Sequence, residues 1–175
     1  MMQSFPLSLR RAIIWIGRLV LGGILIYAGY AKAFMPNLIL RPWFAFRFSI
    51  STNLANFALQ VDSYKMLSPG AVNFVAHTLP FAEMALGLLL LIGWRLRILA
   101  TLSTLLILGF LGAVTRAYLL HMNINCGCFA TPEPLTGWTV VRDSLLAALA
   151  VIMTILVFVE ARQPHPWSAP VPQRS

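Results

Sequence analysis

Four long apolar runs, parted by short polar breaks, dominate this chain and limit what it can fold into. They extend from Ala12 to Ala33, Ala71 to Ile92, Leu96 to Leu120 and Ser144 to Val159. A helix that crosses the hydrocarbon core of a bilayer needs about 20 predominantly apolar residues. The fourth run is short by that measure unless it starts at Thr139, which brings Arg142 and Asp143 close to the headgroups. Backbone amides cannot go unpaired in lipid, so each run is expected to be a helix. Composition agrees: 59% of the 175 residues are hydrophobic and 10% are charged, against about 25% charged in a typical soluble domain. So few charges cannot cover a water-soluble globule of this size. The expected fold class is an all-α polytopic membrane protein, a four-transmembrane-helix bundle forming one domain over residues 1–162.

The net charge of +8 does not point to nucleic acid. The basic residues form nothing larger than pairs such as Arg10/Arg11 and Arg95/Arg97. They sit at the ends of apolar runs, where the lipid bilayer and its anionic headgroups are the natural partners.

Small residues mark expected helix contacts: Gly22, Gly23 and Gly29 in the first run, Gly109 and Ala113 in the third, Ser144 and Ala148 in the fourth. The connection from Phe34 to Gly70 mixes Pro36, Pro42 and Trp43 with Arg41 and Arg47. Aromatics beside arginines predict a segment lying at the membrane interface, on the extracytoplasmic side. The link around Gly93-Trp94-Arg95 is only a few residues long. Residues 163–175 carry four prolines and are expected to be a disordered cytoplasmic tail. Arg10 and Arg11 ahead of an apolar run imitate a signal peptide. The run exceeds a signal core of about 7–15 residues, and Arg18 interrupts it, so it reads as a retained span.

Four crossings put both termini on one side, together with Arg10, Arg11, Arg18, Arg95, Arg97, Arg162 and Arg174. The other side holds Lys32, Arg41, Arg47, Lys65, Arg116 and Arg142. The totals are close, but short loops decide orientation, and the turn with Arg95 and Arg97 has no acid. Both termini are therefore expected in the cytoplasm. The loop between the third and fourth spans then faces outward, where disulfides persist.

That loop contains the only two cysteines, Cys126 and Cys128, with Gly127 between them. Glycine permits the sharp bend such a pair needs to bring its sulfurs together. A disulfide spanning one residue constrains almost no chain, so it has little value as a staple. Strained, exposed disulfides are the labile ones, and exchange chemistry is the use that fits. Two other readings stay open: buried small hydrophobes, or a soft-metal site for Cu(I) or zinc with His121 or Met122.

Glu83 stands near the middle of the second span, where an acid is costly. Ala76, Pro80, Glu83 and Gly87 recur every three or four residues and share one small-residue face, so Glu83 is expected to point into the bundle. There it either orients the helices or accepts a proton beside a redox or ligand site. His77, one turn before Pro80, is a candidate for the same role or an interfacial polar residue. Lys32 and Arg116 fall near the outer ends of their spans and are expected to snorkel to the headgroups. Arg142 and Asp143 are adjacent, so they project differently and need not pair. Asp143 is expected in the first turn of its helix, where an acid suits the dipole, with Arg116 or Lys32 as its partner. Either cation could instead lower a cysteine pKa.

With these residues in view, the chain resembles the methylamine utilisation MauE family, within the wider DoxX-like four-helix membrane proteins. The matching pieces are Gly29-Tyr-Ala-Lys32, Leu79-Pro80-Phe-Ala-Glu83, Cys126-Gly-Cys128-Phe129 and Trp138-Thr-Val-Val-Arg142-Asp143, in order over roughly residues 15 to 160. It departs from the family pattern at Ala130, where glycine is usual, and in Lys32-Ala-Phe-Met-Pro36 after the first span. The resemblance implies a bacterial inner membrane location and a periplasmic cysteine loop. It also implies a thioredoxin-like partner and a role in maturing periplasmic enzymes, including the disulfide-rich small subunit of methylamine dehydrogenase.

The leading expectation is a membrane thiol–disulfide redox component in which Cys126 and Cys128 cycle between dithiol and disulfide. Glu83, His77, Lys32, Arg116, Arg142 and Asp143 are its candidate supporting residues. No second cysteine pair exists to relay electrons, so a quinone in the bundle or a partner protein must do so. The rivals are a non-catalytic anchor of a maturation complex and a carrier for a small molecule or soft metal. A carrier is expected to show broken helices or paired halves, and Pro80 is the only such interruption.

Overall fold

A computed structural model describes residues 7–34, 46–122, 124 and 135–160. Cys126, Cys128, Arg41, the Pro36–Trp43 stretch and the tail from Gln163 lie outside the described residues. The described chain is all helical: α1 (Leu7–Phe34), α2 (Phe46–Ser63), α3 (Pro69–Ile92), α4 (Leu96–Leu119) and α5 (Gly137–Glu160). Four stretches are long and apolar enough to cross a membrane: Leu9–Phe34, Pro69–Ile92, Leu96–Leu119 and Gly137–Glu160. At about 1.5 Å per residue, the 24 residues of α3 span about 36 Å, more than the roughly 30 Å hydrocarbon core. The protein is a multi-pass membrane protein built as a four-helix bundle.

Two helix pairs make the bundle. α1 packs most extensively on α3 and α4 on α5, while α3 and α4 touch sparingly. Glycine explains the first pair. A Cβ on Gly87 would lie 2.6 Å from the carbonyl oxygen of Gly22, and one on Gly29 would strike the carbonyl of Pro80. The two backbones can approach this closely only without side chains. Gly23 contributes nothing of the kind, since a Cβ there meets no atom within 4 Å. The second pair is joined by hydroxyls: Thr104 Oγ1 lies 3.1 Å from the Ala150 carbonyl and 2.8 Å from Thr154 Oγ1.

The small-residue spacings of the third and fourth spans do not mark helix contacts. Gly109 faces open space, and Ser144 and Ala148 are exposed. The buried face of α5 runs instead through Asp143, Ala147 and Ala150. α5 begins at Gly137, so Asp143 stands in its second turn rather than its first.

α3 starts with Pro69 after Ser68 in extended conformation and ends at Gly93, whose φ of 84° makes a left-handed cap. Helix ends leave carbonyls without intrahelical donors. Arg18, which in the sequence only interrupts the first run and adds to the charge on the side of the termini, supplies them from α1. Its Nε donates to Leu90 O at 3.1 Å and its Nη2 to Leu91 O at 2.6 Å. A cation also suits the negative end of a helix dipole. The guanidinium stacks 4.3 Å from the Trp15 ring.

The crossings give the bundle two ends. The terminal end holds the start of α1, the α3–α4 turn and the end of α5. An apolar cluster of Ile14, Leu21, Leu90, Leu99 and Met153 fills it. The loop end holds α2, the start of α3 and the segment between α4 and α5. The expected interfacial segment thus contains an 18-residue helix, α2, lying against α1 and α3. Its side chains Leu54 and Phe57 are buried, and Asn53 Nδ2 reaches the Ala33 carbonyl at 3.4 Å.

Candidate functional site

The loop-end half of the bundle is built around a pair of charges. Lys32 Nζ donates to both carboxylate oxygens of Glu83, at 2.5 and 2.7 Å. Only 4% of the lysine side chain and 1% of the glutamate side chain are exposed. Lys32 therefore does not snorkel to the headgroups. Its partner's helix explains why. Cα–Cβ bonds lean toward the N-terminus of their own helix. α1 and α3 run antiparallel, so Lys32 leans into the bundle and Glu83 leans out to meet it. The contacts of Gly22 with Gly87 and Gly29 with Pro80 set a register that puts His77, not Glu83, level with Lys32. Only converging side chains close that gap.

Glu83 points inward as its spacing foretold, on a buried face with Val72, Ala76, Pro80, Gly87 and Leu90. Two rings from other helices flank the ammonium, with centroids 5.5 Å away for Phe57 of α2 and 4.9 Å away for Phe110 of α4. A cation over aromatic faces gains about 0.5–2 kcal/mol. Four helices thus converge on one buried charge, and two of their contributions, Phe57 and Phe110, carry no signal in the sequence beyond hydrophobicity.

Beyond those rings lies a cavity of about 350 Å3 between α2, α3 and α4, with Phe57, Tyr64, Leu79, Leu106, Gly109 and Phe110 in its walls. It exists because α3 and α4 diverge and because Gly109 puts no side chain into it.

The remaining candidates stand apart from the ion pair. Arg142 and Asp143 do pair, Nε to Oδ1 at 3.1 Å: the arginine stem is long enough to fold back along α5 to its neighbour. Arg116 is exposed and donates to the Tyr64 carbonyl at 3.3 Å, tying the end of α4 to the end of α2. His77 is exposed, with Nδ1 2.9 Å from the Asn73 carbonyl of its own helix, whereas Glu83 is buried. Cys126 and Cys128 lie outside the described residues. The Leu135 amide donates to the Ile124 carbonyl at 3.1 Å, joining the described residues on either side of that segment. Among the described residues, no three His, Cys, Asp or Glu side chains group as metal ligands would.

The family model of the methylamine utilisation protein MauE matches residues 10–156. This chain belongs to the MauE family. The MauE match starts at the buried Arg10, takes in Arg18, Lys32, Glu83, both cysteines and the Arg142–Asp143 pair, and ends inside α5. No curated protein and no solved structure matches the chain. The MauE-matched region thus embraces the ion pair, the cavity walls and the cysteine loop alike.

Proposed function

We propose that this MauE-family protein is a membrane thiol–disulfide redox component. It acts with a periplasmic thioredoxin-fold partner in the maturation of disulfide-containing periplasmic enzymes of the methylamine dehydrogenase type. The observation that carries this reading is the Cys126-Gly127-Cys128 pair, the chain's only two cysteines, inside the region that the MauE family model matches. Exchange runs through attack of a thiolate on a disulfide sulfur and a mixed disulfide. The pair falls between α4 and α5 in the sequence, outside both spans, where a partner in the adjoining aqueous space can meet it. The α1–α3 pair, clamped by Arg18 at one end and by Lys32 with Glu83 at the other, makes the bundle rigid. The protein resides in the bacterial inner membrane, with both termini cytoplasmic and the cysteine loop periplasmic.

The test is alkylation of intact cells with a membrane-impermeant thiol reagent before and after mild reduction, beside a Cys126→Ser/Cys128→Ser variant. Labelling only after reduction, together with loss of client maturation in the variant, is the expected result. Thiols that stay unlabelled after reduction, or a variant that matures its client normally, would replace this reading with a passive membrane anchor.

A further inference from the structure

We propose that the cavity between α2, α3 and α4 holds one acyl chain of an anionic phospholipid, whose phosphate is bound by Arg116. The site is independent of the thiol–disulfide reading above. α2 lies against α1 and α3, while α4 lies against α5 and only sparingly against α3, so no helix fills the space between α2 and α4. Protein interiors pack closely and leave few voids larger than a water molecule. This half-open groove of about 350 Å3 is within the range of about 300–1,000 Å3 typical of small-molecule sites. Its walls are almost wholly apolar, and a polar occupant would lose its water without gaining partners. Hydrocarbon loses nothing there.

The depth of the groove selects a single chain. On α4 its wall runs through Leu105, Leu106, Gly109, Phe110, Ala113 and Val114, which share one face of the helix by their three- and four-residue steps. At about 1.5 Å per residue, residues 105–114 make a wall about 14 Å long. One leaflet is half of the roughly 30 Å hydrocarbon core. Leu105 stands near the middle of α4 and Val114 near its loop end, so the groove begins at the bilayer midplane and rises to the loop-end surface. That is the depth of one acyl chain and not of a helix crossing both leaflets. Gly109 keeps the wall clear, since a Cβ there meets nothing within 4 Å.

The loop-end rim supplies the charge. Tyr64, Met66 and Leu67 line the groove there, and Arg116 Nη1 donates to the Tyr64 carbonyl at 3.3 Å. Arg116 follows Gly109 by about two helical turns, so it continues the open edge of the groove-lining face. It is exposed. A guanidinium has five N–H donors in a planar fork that matches phosphate, and the Tyr64 carbonyl takes one of them. Lys65 and Asp62, beside Tyr64, pair with each other, which leaves Arg116 as the net charge of this rim. A net cation favours a phosphate diester with no balancing amine, such as phosphatidylglycerol, over a zwitterionic headgroup. The bound lipid thus fills the wall between α2 and α4, which the Arg116–Tyr64 bond ties at its upper end.

The experiment places the full chain in nanodiscs of equal parts phosphatidylglycerol and phosphatidylcholine with matched acyl chains, and reads the retained lipid by native mass spectrometry. One retained phosphatidylglycerol per chain is expected, preferred over phosphatidylcholine by about fivefold, the effect of one basic residue on an anionic headgroup. Arg116→Gln should abolish the preference, and Arg116→Lys, which keeps the charge but not the fork, should restore part of it. Gly109→Leu should lose the retained lipid with an unchanged melting temperature. Ala113→Leu, which narrows the same wall, provides a second variant should the first misfold. A phosphatidylglycerol bearing a diazirine on its acyl chain should crosslink to residues 105–114. Equal retention of the two lipids, a preference that survives Arg116→Gln, or retention indifferent to both wall substitutions would overturn the site. So would a dimer that carries no lipid, which would put a second copy of the chain on this face.

Discussion

Lys32 and Glu83 lie 51 residues apart and meet through two hydrogen bonds inside the bundle. A buried ion pair is a matched set: the partner left by a single substitution is an uncompensated charge in a medium that cannot solvate it. Lys32→Met or Glu83→Leu alone is therefore expected to destabilise the protein by about 3–5 kcal/mol. The double variant, which removes both charges, should recover most of that loss. Denaturation by sodium dodecyl sulfate in mixed micelles reads the difference, and a double variant no better than the singles would show that the pair's value is more than charge balance.

The close approach of α1 and α3 depends on particular glycines. Gly29→Ala places a methyl against the Pro80 carbonyl and 2.7 Å from Met84 Cγ, and overpacking of this kind costs about 1–3 kcal/mol. Gly23→Ala, two turns away and free of neighbours within 4 Å, is expected to be neutral or slightly stabilising. Melting temperatures of the two variants measured side by side check this, and equal effects would refute the contact.

Arg18 donates from two nitrogens to successive carbonyls at the end of α3. Arg18→Ala leaves Leu90 O and Leu91 O without those donors and should cost about 1–3 kcal/mol. Arg18→Lys keeps the charge but not the planar fork, so it should recover only part. Amide hydrogen exchange in the last turn of α3 is the local readout: faster exchange there in Arg18→Ala, and no change near Pro69, is the expected pattern.

The two ends of the bundle make a topological prediction. In a background without native cysteines, Asp62→Cys and Thr136→Cys should be labelled from one side of the membrane. Trp94→Cys, in the turn between α3 and α4, should be labelled only from the other. Joint labelling of positions 94 and 136 would contradict the crossing pattern.

How far the sequence revealed this arrangement depends on whether a signal repeats along one helix or joins two. The face of Ala76, Pro80, Glu83 and Gly87 was legible because its periodicity is internal to α3, and all four are buried. The ion pair was not, because a lysine near a span end has a cheap alternative in the headgroups, and only the antiparallel lean of the two side chains decides against it. Small residues misled for the same reason. Gly109 and Ala113 have the spacing of a helix contact but line the cavity, since spacing says nothing about whether another helix is there. α2 was hidden by its composition: Leu54, Phe57 and Val61 lie on one face, but Asn53, Asn56 and Gln60 among them dilute any helical pattern. Backbone direction alone separates the neighbouring Arg142 and Asp143, and a long, flexible arginine overrides it.

The clamping of α1 by its partners also bears on the order in which the chain is made. Two of its three buried cations, Lys32 and Arg18, are answered by residues of α3: the carboxylate of Glu83 and the carbonyls of Leu90 and Leu91. Before Glu83 emerges from the ribosome, the only acid yet synthesised is Asp62, which pairs with Lys65. The first helix therefore enters the bilayer with two unanswered charges, each opposing insertion by up to about 3 kcal/mol. A lysine at that depth without a partner is expected to reach for the headgroups. The ion pair can form only once α3 is in place beside α1.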